Sequence, residues 1–210
     1  MKPAKTSCLF LDIGGVLLSD GWGHVSRKMA AAKFKLDLTD FEYRHQLNFS
    51  VYEEGKISLR EYLDRVVFHQ KRTFSQAQFQ KFMFLRSQPD LLMLELVRAL
   101  KEKYRLKIIA VSNEGREMNA FRIRKFKLDE FVDAFVSSCY VHLRKPDVDI
   151  FRLALDIAQV SPQKILYIED TPMFVEIARS LGVRGLWHTN YKSTMSQLSA
   201  LGFEMNGAER

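Results

Sequence analysis

Asp12 interrupts an otherwise apolar run, Cys8-Leu9-Phe10-Leu11-Asp12-Ile13-Gly14-Gly15-Val16-Leu17-Leu18. Such a run reads as a buried strand of a parallel sheet with the carboxylate at its C-terminal end. The glycines permit a sharp turn and a close backbone approach to a ligand. Three later stretches carry matching chemistry. Ser112 and Asn113 follow the apolar stretch Leu106 to Val111. A hydroxyl and backbone N–H groups at a strand-to-helix turn form an anion cradle. Lys145, in Arg144-Lys145-Pro146-Asp147, precedes a helical pattern and can set a point charge on a phosphoryl oxygen. Glu169 and Asp170 end the stretch Ile165 to Ile168. Adjacent carboxylates at a buried strand end repel each other unless a cation sits between them and Asp12. Singly, each feature has an ordinary structural reading, as a cap, a turn or a helix start.

Those groups need elements to hold them. Strands are expected at Leu106 to Val111, Ala134 to Ser138, Ile165 to Ile168 and Gly185 to Trp187, in addition to the first. Helices are expected between them at Glu114 to Phe126, Asp147 to Ala158 and Pro172 to Leu181, and a last one at about Ser193 to Leu201. A helix opening at Pro89 and Asp90 carries Met93, Leu96, Val97, Leu100 and Tyr104 on one face. Strands alternating with helices imply an α/β fold, a mostly parallel sheet covered on both faces. Residues 19–88 read as helical throughout, with capping patterns at Ser58-Leu59-Arg60-Glu61 and at Ser75. Their aromatic residues, among them Phe34, Phe41, Tyr43, Tyr62, Phe79 and Phe84, read as the core of a small helical bundle. The chain thus divides into a sheet domain, residues 1–18 and 89–210, and a helical cap, residues 19–88, inserted after the first strand. The segment from Phe203 to Arg210 reads as a loose tail.

Composition excludes some classes. The chain has 210 residues, is 47% hydrophobic and carries a formal charge of +7. No nucleic-acid motif accompanies that charge, and Arg122, Arg124, Lys125 and Lys127 read as a solvated helix face. Nothing approaches the roughly 18 uncharged apolar residues of a membrane span. Lys2 and Lys5 before an apolar run imitate a signal peptide, but Asp12 within the run argues against one. Cys8 and Cys139, both assigned to strands, read as buried free thiols, which suits a reducing cytoplasm.

The pieces Leu11-Asp12-Ile13-Gly14-Gly15-Val16, Val111-Ser112-Asn113, Arg144-Lys145-Pro146-Asp147 and Ile168-Glu169-Asp170-Thr171-Pro172 stand on successive strand ends. In this order they resemble the haloacid dehalogenase-like hydrolase superfamily, in its branch with a small helical cap after the first motif. The resemblance implies a Rossmann-like core of about five strands and a phosphatase acting through an aspartyl phosphate. Asp12 would be the nucleophile. Mg²⁺ would be held by Asp12, the Gly14 carbonyl and Asp170, with Glu169 close by or sharing. Ser112 and Asn113 would hold the phosphoryl oxygens, and Lys145 would screen the charge between nucleophile and phosphate. The implied partner is a small phosphorylated metabolite, a sugar phosphate being one candidate. The protein would act as a monomer or homodimer.

Two positions depart from the family pattern. Relatives often carry a second Asp, the general acid, two residues after the nucleophile, where this chain has Gly14. Phe174 stands where relatives often place Asp or Asn near the metal, and it falls on the apolar face of its helix. A non-catalytic binding protein and a 2-haloacid dehalogenase are the alternatives. The dehalogenase would not need the Glu169–Asp170 pair. In the cap, Tyr52-Glu53-Glu54-Gly55-Lys56 reads first as a plain solvated turn and second as a loop over the site. His24 and Arg27 are weaker candidates for its entrance.

Overall fold

The computed structural model describes residues 6–204. In chain order the elements are β1 (Cys8–Leu11), α1 (His24–Phe34), α2 (Leu38–Glu53), α3 (Leu59–Val66), α4 (Gln76–Phe84), α5 (Leu91–Tyr104), β2 (Lys107–Ser112), α6 (Arg116–Phe126), β3 (Ala134–Ser137), the short α7 (Ser138–Val141), α8 (Val148–Ala158), β4 (Ile165–Glu169), α9 (Pro172–Ser180), β5 (Arg184–Trp187) and α10 (Tyr191–Ala200). The strands pair in parallel in the order β3-β2-β1-β4-β5. This is the expected α/β, Rossmann-like sheet.

β1 is buried on both sides, and its residues alternate between two cores as the pleat requires. Leu9 and Leu11 belong to one, with Met93, Leu96, Val97 and Leu100 of α5 and Leu198 of α10. Cys8 and Phe10 belong to the other, with Ile150, Phe151 and Ala154 of α8 and Ala178 of α9. The chain moves outward from β1 through β2 to β3, then returns to β1's other side as β4. The strand ends diverge there, and a crevice opens beyond the carboxyl ends of β1 and β4, where open α/β sheets bind ligands.

Helices α1 to α4 form a third cluster. Phe79 is fully buried at its centre. The rings of Trp22 and Phe41 meet it edge-on, with centroids at 5.7 and 6.2 Å. Full capping boxes open α3 at Ser58 with Glu61 and α4 at Ser75 with Gln78. The aromatic residues serve the core as expected, except that Tyr43 is exposed and Phe84 stacks on Phe121 of α6 with ring centroids 4.8 Å apart. The two chain crossings into this cluster lie side by side. The Ser19 amide donates to the Gln88 carbonyl at 2.8 Å, the Gln88 amide to the Ser19 hydroxyl at 3.0 Å, and the Asp90 amide to the Leu17 carbonyl at 2.9 Å. On these contacts we propose the division of the chain into residues 1–18 with 89–210 and residues 19–88.

Several local expectations change. Cys139 lies in α7, not in a strand; both cysteines are buried and free. Pro89 stands outside α5, which Asp90 caps by accepting from the Met93 amide. α6 begins at Arg116 because Glu114 turns inward, its amide held by the Ser138 hydroxyl at 2.9 Å. Phe203 is no loose tail: it is buried, and its ring meets Tyr104 with centroids 5.0 Å apart. Glu204 follows it, its amide donating to the Tyr104 hydroxyl at 2.6 Å; residues 205–210, and Lys2 and Lys5, lie outside the described residues. No described helix is long and apolar enough to cross a membrane.

Candidate active site

The turn after β1 is tied by the Gly15 amide to the Leu18 carbonyl at 2.7 Å and by the Leu18 amide to the Ile13 carbonyl at 2.9 Å. Neither bond uses the Gly14 carbonyl. Gly15 has φ +80, and a Cβ there would come within 2.0 Å of the Asp170 carboxylate. Any larger residue would therefore fill the space between β1 and β4. Asp12, at the mouth of that space, is buried.

Lys145 is 1% exposed, and its ammonium is the hub of the site. It lies 3.0 Å from an Asp12 oxygen and donates to Glu169 at 2.7 Å and to the Tyr167 hydroxyl at 3.2 Å. The Asn113 side chain fixes the lysine's backbone from both ends, accepting from its amide and donating to its carbonyl, each at 2.8 Å. Burial works against the lysine's charge, but Asp12 and Glu169 outweigh it and raise its pKa. The Phe174 ring lies beneath the ammonium, 5.1 Å from centroid to nitrogen. Phe174 thus packs, as its helix face suggests, and also lines the cavity as a face for the cation.

Asp12, Glu169 and Asp170 offer oxygens that all lie within 4.8 Å of one another. The three carboxylates are not equivalent. Glu169 is saturated: one oxygen accepts from Lys145 and Tyr167, the other from the Thr171 amide at 3.0 Å. Burial tends to raise its pKa, but Lys145 and these hydrogen bonds hold it below the usual carboxylate range. Asp170 is freer, and burial together with its contacts to Glu169 pushes its pKa up to about 7. Burial is also the main cause of the raised pKa of Asp12, offset in part by Lys145. Two carboxyls held back from ionising, beside a third that is charged, form an oxygen donor set that a divalent cation fits.

The Ser112 hydroxyl, at the end of β2, is enclosed and has no hydrogen-bond partner among the described residues. An unmet buried hydroxyl costs about 1–3 kcal/mol, so a ligand oxygen there is favoured.

Asp12, Lys145 and Asp170 open onto a cavity of about 470 Å³, whose lining does not include Ser112, Tyr167 or Glu169. Its floor is Asp12, Gly14, Asn113, Lys145 and Asp170, and its roof comes from the helical cluster through Trp22, Phe49, Tyr52 and Glu53. His24 and Arg27 line it too; Arg27 is pinned by Glu42 at 3.0 Å. Of the Tyr52–Lys56 stretch only Glu54 and Gly55 form a turn, and only Lys56 is exposed. Tyr52 and Glu53 end α2, both buried, and the Glu53 carboxylate pairs with Arg144 at 2.7 Å. The Ser138 hydroxyl donates to the Glu53 carbonyl at 2.7 Å. Gly55, with φ +67, passes so near Cys139 that a Cβ would lie 2.1 Å from its carbonyl oxygen.

Three participants escaped the sequence reading. Tyr167 sits two residues before Glu169 on β4, so both point to one face; that spacing was the available signal. Arg122 is buried, unlike Arg124, Lys125 and Lys127, which are exposed as expected. It follows the buried Met118 and Asn119 at helical spacing, which places it on the inner face of α6. Its partner is Glu114, also buried, whose pKa burial raises against the pull of Arg122.

Fold and cavity together define a capped α/β protein with its reactive groups gathered at parallel strand ends. The chain belongs to the haloacid dehalogenase-like hydrolase family, whose model matches residues 6–182. Over 134 residues it is 30% identical to a phosphorylated carbohydrates phosphatase of Thermotoga maritima, covering 64% of this chain and 57% of that protein. The matched stretch thus spans little more than half of that relative's length. The fold is similar to HAD family enzyme bt-2542 of Bacteroides thetaiotaomicron, with TM-score 0.76 and 20% identity over 96% of this chain and 100% of that one. A structure of that enzyme in complex with magnesium and inorganic phosphate gives TM-score 0.74 and 22% identity, over 87% and 93% of the two chains.

Proposed function

We propose that this protein is a Mg²⁺-dependent phosphatase that hydrolyses a small phosphorylated metabolite through an aspartyl phosphate on Asp12. The observation that carries the reading is the buried contact of Lys145 with Asp12 at 3.0 Å, beside the Asp12, Glu169 and Asp170 oxygens. A lysine in that place draws the Asp12 pKa down against the effect of burial, and it lessens the repulsion between Asp12 and an incoming phosphate dianion. Asn113 positions that lysine through its backbone. The Ser112 hydroxyl is free to donate to a phosphoryl oxygen, with the Asn113 amide beside it; the Glu114 amide is already held by Ser138.

In this reading Asp12, the Gly14 carbonyl and Asp170 hold Mg²⁺. The ion supplies charge neutralisation and alignment for in-line attack. Glu169 is close by, but its hydrogen bonds go to Lys145, Tyr167 and Thr171, so its part is to hold the lysine. The carboxylate trio is surplus to a 2-haloacid dehalogenase, which favours the phosphatase reading. The similarity to a phosphorylated carbohydrates phosphatase supports a sugar phosphate as substrate. The two free thiols suit a reducing compartment, and we place the protein in the cytoplasm.

A screen of phosphorylated metabolites with and without Mg²⁺ tests the proposal. Release of phosphate that depends on Mg²⁺ and is absent in Asp12→Asn supports it. Release by the variant, or halide release from 2-haloacids without metal, overturns it.

A further inference from the structure

Gly14 leaves an open space where relatives carry their general acid, and that space has a neighbour. A Cβ at residue 14 would lie 3.4 Å from Nη1 of Arg122, an ordinary contact distance. The guanidinium comes from α6 and is almost wholly enclosed, yet it lines the same cavity as Asp12 and Lys145. Its position is fixed on three sides. Nε donates to the Ser87 hydroxyl at 3.0 Å, Nη2 donates to the carbonyls of Asp20 at 3.0 Å and Ser19 at 3.4 Å, and Nη1 donates to the Glu114 carboxylate. A guanidinium has five N–H donors. The fifth, on Nη1, has no partner among the described residues, and Nη1 is the nitrogen nearest the gap at Gly14.

We propose that Arg122 meets the leaving-group oxygen of the substrate, taking the place of the missing acid, and that the substrates are phosphates whose leaving group departs as a stable oxyanion. This rests on the phosphatase reading above. An arginine does not release its proton in a protein, so it stabilises developing negative charge without supplying a proton. In the first step an Asp12 oxygen bonds to phosphorus as the phosphorus–oxygen ester bond breaks. The bonding pair stays on the leaving oxygen, which is held by the Arg122 N–H and is protonated by water after release. In the second step water attacks phosphorus, the pair of the aspartyl bond returns to Asp12, and the water's proton passes to solvent. Aryl, acyl and anomeric phosphates suit this site; phosphates of simple alcohols, which leave as strong bases, do not.

The test is kcat/KM for aryl phosphates of graded leaving-group pKa, with Mg²⁺, on wild type, Arg122→Lys and Gly14→Asp. Arg122→Lys keeps the charge and loses the fork. It is expected to cost on the order of 10²-fold on the poorest leaving group and about tenfold or less on the best, so the dependence steepens. Gly14→Asp removes no buried charge. Its carboxylate captures the free N–H, and the dependence steepens again. Equal losses across the series for Arg122→Lys assign Arg122 a structural role and overturn the inference. A flatter dependence in Gly14→Asp means that the new carboxyl acts as an acid and Arg122 does not govern the leaving group. No turnover of the most activated ester by the wild type overturns the phosphatase reading itself, and the inference with it.

Discussion

Arg144 donates two hydrogen bonds to one oxygen of Glu53, from Nη2 at 2.7 Å and from Nε at 3.2 Å. The bond pair joins the end of α2 to the residue before Lys145, so the roof of the cavity and its central cation share one anchor. Burial outweighs Arg144 and raises the Glu53 pKa from 4.5 to about 7. Between these values the folded chain keeps a proton that the unfolded chain has lost. The stability from that proton is complete below about pH 4.5 and is lost as pH rises to about 7. Glu53→Gln lacks this proton exchange. Its stability relative to wild type is therefore expected to rise by up to about 3 kcal/mol between pH 4.5 and pH 8. Urea titrations of both proteins across that range measure it, and parallel curves would contradict the assignment.

Asp12→Asn is expected to reduce turnover by at least about 10³-fold while the fold persists. A carboxamide forms no acyl phosphate. Lys145 loses the Asp12 charge but keeps Glu169 and Tyr167, so its ammonium is not left buried without a counter-charge. Phosphate release and a thermal melt on the same preparation check both halves. Substantial residual activity removes Asp12 as the nucleophile.

Mg²⁺ is expected to raise the melting temperature by a few degrees, and Asp170→Ala to abolish the rise. A ligand at about 100 times its Kd adds about 2.7 kcal/mol to the folded state. Asp170 is the carboxylate least committed to protein partners, so its loss removes metal affinity with little damage to the Lys145 hub. Thermal shifts in Mg²⁺ that are the same for wild type and variant count against a metal at this site.

Gly55→Ala is expected to destabilise the protein by about 1–3 kcal/mol and to raise KM. The added methyl collides with the Cys139 carbonyl, and the backbone is in the left-handed region at φ +67. Both effects push α2 away from α7 and lift Glu53 off Arg144. Denaturant melts and Michaelis curves for one activated ester test this. Unchanged values would mean that the two segments separate freely.

The sheet was legible in the sequence because buried parallel strands are continuous apolar runs, and Cys8–Leu11, Ile108–Val111 and Ile165–Ile168 are such runs. The residues that end them, Asp12, Ser112 and Glu169 with Asp170, stand out as polar breaks in those runs. Lys145 is legible only by its place before a helix. Arg122 was misread because its neighbours Arg124 and Lys125 are solvated and mask it; charge density hid what periodicity marked. Glu53 was misread because Glu-Glu-Gly-Lys has the composition of a surface turn. Its burial depends on Arg144, about ninety positions away, and on the close passage of Gly55 over Cys139, neither of which leaves a local trace.

With the division proposed above, the paired crossings at Ser19 and Gln88 mean that the helical insert enters and leaves the sheet domain at one point. An insert with coincident ends spans no distance on its host. It can be lengthened, shortened or exchanged without moving a strand out of register or shifting Asp12 against Asp170. The molecule that enters is thus selected by a segment joined to the strands at one place, and a change in that segment reaches Lys145 and Arg122 through the anchors at Glu53, Asp20 and Ser87.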